Sequence, residues 1–101
     1  RKKSMFISGG ENVYPAEVER VLREHPDIDE AAVVGVGDQK WGEVGKAYLS
    51  IKAGVDCSEV DVLSHCVSKL AKFKVPKYFE FMDEIPKNGS GKIDRKKLSS
   101  L

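Results

Sequence analysis

Glycine and proline close nearly every apolar run of this chain soon after it begins. Met5-Phe6-Ile7 stops at Gly9-Gly10, a helical stretch stops at Pro26, an alternating stretch stops at Ala53-Gly54, and a further helix breaks at Lys74-Val75-Pro76. Only short elements fit between such stops, so the core must come from a small sheet and a few short helices packed together. The 101 residues suffice for one domain. A domain of that size offers a surface or a cleft rather than a deep chamber.

The pieces read in order. Met5-Phe6-Ile7 predicts a first strand. Pro15 suits the first helical position, where its missing N–H is not needed, and Glu17 then meets the positive end of the helix dipole. Val18, Val21, Leu22 and His25 follow helical spacing up to Pro26. Ile28 to Val36 is rich in β-branched residues and predicts a central strand. Val44 to Lys52 alternates, with Ala47, Leu49 and Ile51 on one face, and predicts an antiparallel third strand. Ser58 is a candidate N-cap for a helix whose apolar stripe is Leu63, Cys66, Val67 and Leu70. Tyr78 to Met82 predicts a fourth strand, Pro86 to Lys92 an open loop, and Asp94 the cap of a short basic helix reaching Leu98 or beyond. The expected fold is α+β: a small sheet with helices packed on one face, in the split βαβ order β-α-β-β-α-β-α.

Net charge is +1, but the charge is unevenly spread. Residues 11–61 carry five basic and twelve acidic groups, whereas residues 62–101 carry nine basic and four acidic ones. Basic ends around an acidic middle point either to an anionic partner at the termini or to solvated helix faces. No apolar run approaches the roughly 18 residues of a membrane span, and no signal-peptide pattern is present. Two cysteines do not make a disulfide framework, which favours a reducing, cytoplasmic setting. The chain opens Arg1-Lys2-Lys3-Ser4 without an initiator Met, as expected for a piece of a longer protein.

Four segments invite a chemical reading. Ser8-Gly9-Gly10-Glu11-Asn12-Val13-Tyr14-Pro15 lacks dinucleotide-binding spacing, and is either a plain strand-to-helix turn or a place where a ligand approaches the backbone closely. Gly89-Ser90-Gly91-Lys92 evokes a phosphate loop, yet Pro86 replaces its first glycine and Ile93 stands where Ser or Thr would hold magnesium. What is left is a lysine on a mobile loop, idle or able to reach a site on another body and neutralise developing negative charge. Trp41 beside Gly42 either stacks on a planar ligand or plugs the edge of the core. Lys69, Lys72, Lys74 and Lys77, with Phe73 among them, form either a phosphate-receiving ridge or a solvated helix end. Cys57, Cys66, His25 and His65 have no zinc-site spacing, so no metal is expected on them.

Taken together, Arg1-Lys2-Lys3 through Glu19, Trp41-Gly42-Glu43, Phe73-Lys74-Val75-Pro76-Lys77 and Gly91-Lys92-Ile93 resemble the C-terminal domain of AMP-forming acyl-CoA synthetases, the adenylate-forming superfamily. The resemblance covers essentially the whole chain. It implies that residues 1–101 are the mobile C-terminal domain, beginning at the interdomain hinge, of an enzyme whose large N-terminal domain binds ATP, Mg2+ and a carboxylic acid. A carboxylate would attack the α-phosphate of ATP to give acyl-adenylate, and the CoA thiol would then displace AMP. The resemblance assigns Lys92 as the catalytic adenylation lysine and Lys3 as the hinge. Gly9, Gly10 and Glu11 would line the pantetheine tunnel, and Trp41, Phe73 and Lys77 would contact the CoA nucleotide. Val75 departs from relatives that carry Arg there. Gly-Gly-Glu-Asn followed by Tyr-Pro, with Trp-Gly-Glu, resembles fatty or aryl acyl-CoA ligases more than peptide-synthetase modules. The implied partners are the N-terminal domain, the acid, ATP and CoA, with no nucleic acid and no transmembrane segment. Two other classes remain to be tested: a stand-alone interaction module of this fold, and a small nucleic-acid-binding split βαβ domain, for which the strand Val44 to Lys52 offers only Tyr48 as an aromatic.

Overall fold

The computed structural model describes residues 5–101. The hinge assigned to Lys3 lies outside them. Strand β1 (Phe6–Ser8) turns through Gly9 and Gly10 into β2 (Glu11–Val13). Both glycines have positive φ, 57° and 85°, as a two-residue hairpin turn demands. The expected strand-to-helix turn is therefore a hairpin with an additional strand. Helix α1 (Pro15–Arg23) starts at Pro15 and ends before His25, which closes the following turn by accepting the Asp27 N–H at Nδ1, 3.1 Å away.

Strands β3 (Ile28–Asp38) and β4 (Gly42–Ile51) form a long antiparallel hairpin. Asp38 shapes its three-residue loop by accepting the Lys40 N–H at 2.9 Å. Helix α2 (Glu59–Lys69) carries a reciprocal cap, with Ser58 Oγ accepting the Asp61 N–H and Asp61 accepting the Ser58 N–H, each at 3.2 Å. A single 3-10 turn at Lys72–Lys74 leads to β5 (Tyr78–Phe81), which runs parallel to β4. Helix α3 (Arg95–Ser99) is capped by Asp94, whose carboxylate accepts the Lys97 N–H at 3.0 Å.

The expected α+β class holds, and β4 is its centre. β3 pairs along one side of it; the other side is shared by β1, at Gly42, and β5, from Lys46 to Leu49. Helices cover both faces rather than one. Ala31, Val33, Ala47 and Leu49 pack with Val18 and Leu22 of α1 and Val62 and Cys66 of α2. The opposite face carries Ala32, Val34 and Tyr48, sealed by Ile85 and by Leu98 of α3. Consecutive residues of β3 are thus buried on both sides, which explains why this segment reads as a continuous apolar run. The α2 stripe is also corrected: Val62 and Cys66 face the core, whereas Leu63 and Val67 are exposed.

Candidate functional site

Where β1 and β4 meet α2 and the 3-10 turn, the structure leaves a groove of about 760 Å³. Its floor and walls are apolar: Gly9, Trp41, Val44, Gly45, Val67, Leu70, Phe73 and Val75. Ser8, Glu11, Lys72 and Lys77 supply its polar atoms. Of the six residues that the resemblance places around CoA, Gly9, Glu11, Trp41, Phe73 and Lys77 all line this groove. They come from the β1–β2 turn, β2, the β3–β4 loop and the segment after α2. Gly10 is not among the lining residues, and a Cβ built on it would meet nothing within 4 Å.

Gly9 is the constrained position of the pair. Its N–H donates to the Trp41 carbonyl at 2.8 Å, and a Cβ built there would lie 2.7 Å from Trp41 Cε3. The indole therefore rests against bare backbone, while Lys40 Nζ stands 5.0 Å from the ring centroid. Trp41 remains 46% exposed, so it edges the groove instead of plugging the core.

The lysine ridge is partly neutralised within the fold. Lys74 pairs with Glu17 at 3.0 Å and Lys77 with Asp38 at 3.1 Å. The Lys40 N–H and the Lys77 ammonium hold the Asp38 carboxyl below the usual carboxylate range, and Asp38 in turn raises the pKa of Lys77. Lining residues that the sequence did not point to are Val67 and Leu70, read there as part of the α2 core stripe, and Val44 and Gly45, which carry no motif; Leu70 also packs against the core.

Lys92 sits elsewhere, on the segment whose Ile93 packs against the α3 side of the sheet. The expected open loop is a closed hairpin with Lys87 opposite Ile93. Asn88 organises its tip: its N–H donates to the Lys92 carbonyl at 2.8 Å, and its side-chain oxygen accepts the N–H groups of Ser90 and Lys92. Gly91 supplies the positive φ, 84°, that this turn needs. Lys92 is exposed, and among the described residues no carboxylate pairs with it. The groove lies beside α2 and the 3-10 turn, whereas Lys92 stands on a hairpin that packs on the α3 side of the sheet.

One cluster was invisible in the spacing. His25, Asp27 and Cys57 bring a ring nitrogen, a carboxylate oxygen and a thiol within 4.8 Å of one another. His25 Nδ1 is already engaged by the Asp27 N–H, so the local turn uses this ring. Cys66 is buried and its thiol is pushed up to about 11 by that burial, which makes it a core residue and not a nucleophile.

The domain thus carries an apolar groove with Lys72 and Lys77 in its lining and, apart from it, an exposed lysine near a hairpin tip. The chain belongs to the AMP-binding enzyme C-terminal domain family, whose model matches residues 17–92. It is 46% identical to a 2-succinylbenzoate–CoA ligase of Geobacillus kaustophilus over 101 residues, all of this chain and 21% of the relative. It is 52% identical over 93 residues to a methyl-dioxo-octahydroindenyl propanoyl:CoA ligase of Rhodococcus jostii, covering 92% of this chain and 18% of that enzyme. The solved o-succinylbenzoate CoA synthetase of Bacillus subtilis, bound with its product analogue, superposes with a TM-score of 0.90 at 44% identity, over 100% of this chain and 20% of that one. The chain spans about a fifth of the length of the curated relatives it matches.

The nucleic-acid reading finds no support. It needs an open sheet face with aromatics for stacking, whereas both faces are covered and Tyr48 is buried with its hydroxyl donating to the Leu98 carbonyl at 3.2 Å. Nothing favours a stand-alone interaction module either. Among the described residues, no helix is long and apolar enough to cross a membrane.

Proposed function

We propose that this chain is the C-terminal domain of an AMP-forming acid–CoA ligase and serves both halves of its reaction. The observation that carries the reading is the convergence of Gly9, Glu11, Trp41, Phe73 and Lys77 on one groove, away from Lys92. An apolar groove with Lys72 and Lys77 among its lining suits CoA, whose thin pantetheine arm ends in a phosphorylated nucleotide. Trp41 and Phe73 offer ring faces to the base, and Lys77 offers charge to a phosphate.

In the first half-reaction the acid's carboxylate oxygen attacks the α-phosphorus of ATP and pyrophosphate leaves. The Lys92 ammonium would stabilise negative charge on the carboxylate and phosphoryl oxygens as that bond forms. In the second, the CoA sulfur attacks the acyl carbon, AMP leaves, and the thiol proton passes to solvent or base. ATP, Mg2+ and the acid, of fatty or aryl type, are assigned to a larger N-terminal domain, against which this one turns about a hinge at Lys3. Mg2+ rides with the nucleotide; the contribution of this chain beside it is a cation, not a metal ligand. A reducing, cytoplasmic setting accords with the two free cysteines.

The test is a split phenotype in the full-length enzyme. Lys92→Ala should slow acid-dependent pyrophosphate exchange by about 10²–10³, the usual loss of one charge-stabilising donor. Thioester formation from supplied acyl-adenylate should persist. Equal loss in both half-reactions would remove Lys92 from this role.

A further inference from the structure

Among the described residues, Glu19 is the one buried acidic or basic residue, at 3% exposure, and it belongs to neither surface proposed above. A carboxylate out of water must be paired and hydrogen-bonded, or it is strongly unfavourable. Glu19 projects from α1, on one face of the sheet, and meets Arg95, the first residue of α3, on the other face. The guanidinium grips both carboxylate oxygens, Nη2 reaching Oε1 at 2.8 Å and Nη1 reaching Oε2.

Their meeting point is the outer edge of β3. That strand pairs only with β4, so its far side has backbone groups without a strand partner among the described residues. At Val33 the ion pair takes that partner's place. The Val33 N–H donates to Glu19 Oε2 at 2.7 Å, and Arg95 Nη1 donates to the Val33 carbonyl at 2.8 Å. Arg95 lies three residues beyond Lys92. The other foot of the same hairpin is tied to the same strand, with Lys87 Nζ 2.5 Å from Glu30. Between the two feet, the Asp94 N–H donates to the Pro86 carbonyl at 2.9 Å.

We infer that Glu19 and Arg95 are positioning residues for Lys92: their pair clamps the foot of the lysine hairpin to β3 and fixes where the ammonium is presented. This rests on the adenylation role proposed for Lys92. An amine on a long flexible side chain contributes to a transition state only if its backbone anchor is held, and a misplacement of about 1 Å can cost on the order of 10² in rate. The forked geometry matters as well as the charge. Lysine at position 95 would keep the cation but could not satisfy two carboxylate oxygens and a carbonyl together.

The experiment uses the full-length enzyme with Arg95→Lys, Glu19→Gln, Lys92→Ala and the double variant Lys92→Ala/Arg95→Lys. Arg95→Lys and Glu19→Gln should lower kcat of pyrophosphate exchange by about tenfold or more, with KM for ATP little changed. Thioester formation from supplied acyl-adenylate should hold, which also reports that the domain is folded. Arg95→Lys should add nothing once Lys92 is gone, because the two act as one unit. An equal fall in both half-reactions, or full additivity in the double variant, would reduce the pair to a general stabiliser and overturn the inference. Exchange that depends on Lys92 but ignores Arg95→Lys and Glu19→Gln would overturn it alone. Exchange indifferent to Lys92→Ala would overturn the reading of function beneath it.

Discussion

The indole of Trp41 occupies the space where a side chain on Gly9 would begin, with Cε3 only 2.7 Å from that point. Gly9 also has φ 57°, which is unfavourable for an L side chain. Gly9→Ala must therefore move Trp41, the chain's single tryptophan, or distort the β1–β2 turn. The expected result is a shifted Trp41 emission in the 101-residue chain and, in the full-length enzyme, a raised KM for CoA with adenylation kept. Gly10→Ala carries the same kind of backbone strain at φ 85° but meets no neighbouring atom, so it separates turn strain from the indole contact and should shift the emission less. An unchanged spectrum and unchanged CoA kinetics in Gly9→Ala would show that the contact constrains nothing.

Lys77 is held by Asp38, so a CoA phosphate would have to compete for it. Asp38→Asn should free the ammonium and lower KM for CoA, with the gain shrinking as salt is added. Lys77→Ala should raise KM for CoA and flatten the salt dependence. If Asp38→Asn weakens CoA instead, Asp38 orients the lysine and does not compete for it.

Tyr48→Phe tests the seal on the second face. The lost hydroxyl leaves the Leu98 carbonyl without its 3.2 Å partner in a buried setting. Denaturant titration should show a loss of about 1 kcal/mol. No loss would mean that water replaces the hydroxyl.

The alkaline limb of stability should carry the signature of Cys66. Folded, its thiol keeps the proton to about pH 11, while the unfolded thiol gives it up near 9.0. Between those values the unfolded state binds fewer protons, so stability falls as pH rises through the window. Melting curves of the chain and of Cys66→Ala, compared from pH 8 to 11 on the scale set by those two values, should converge as pH increases. Curves that stay parallel would deny that burial perturbs this thiol. Alkylation of the native chain should reach Cys57 well before Cys66.

Much of this arrangement was readable in the residues. Ser58 and Asp94 declare the starts of α2 and α3 by cap chemistry, and the β3–β4 hairpin follows from two β-rich runs around a polar loop. The β2 strand went unread because Glu11-Asn12-Val13 is short and polar, although Gly9-Gly10 is a known signal for a two-residue hairpin turn. The helical period alone leaves the phase of α2 open, since Val62, Leu63, Cys66 and Val67 fit two adjacent faces. Packing against α1 and the sheet selected Val62 and Cys66, and turned Val67 toward the groove. Most hidden was the far face of the sheet. Nothing local in Tyr48 announces that Leu98, fifty positions away, will cover it, and nothing in Glu19 announces Arg95.

Covering both sides of the sheet has a geometric corollary. The groove lies beside α2 and Lys92 is presented from the hairpin on the α3 side, so the two are offered from different parts of the domain. Under the proposed function, one reaction centre needs each of them in turn. On that proposal the domain would have to turn between making the adenylate and consuming it. The body of the sheet between them would then keep the two steps apart in time.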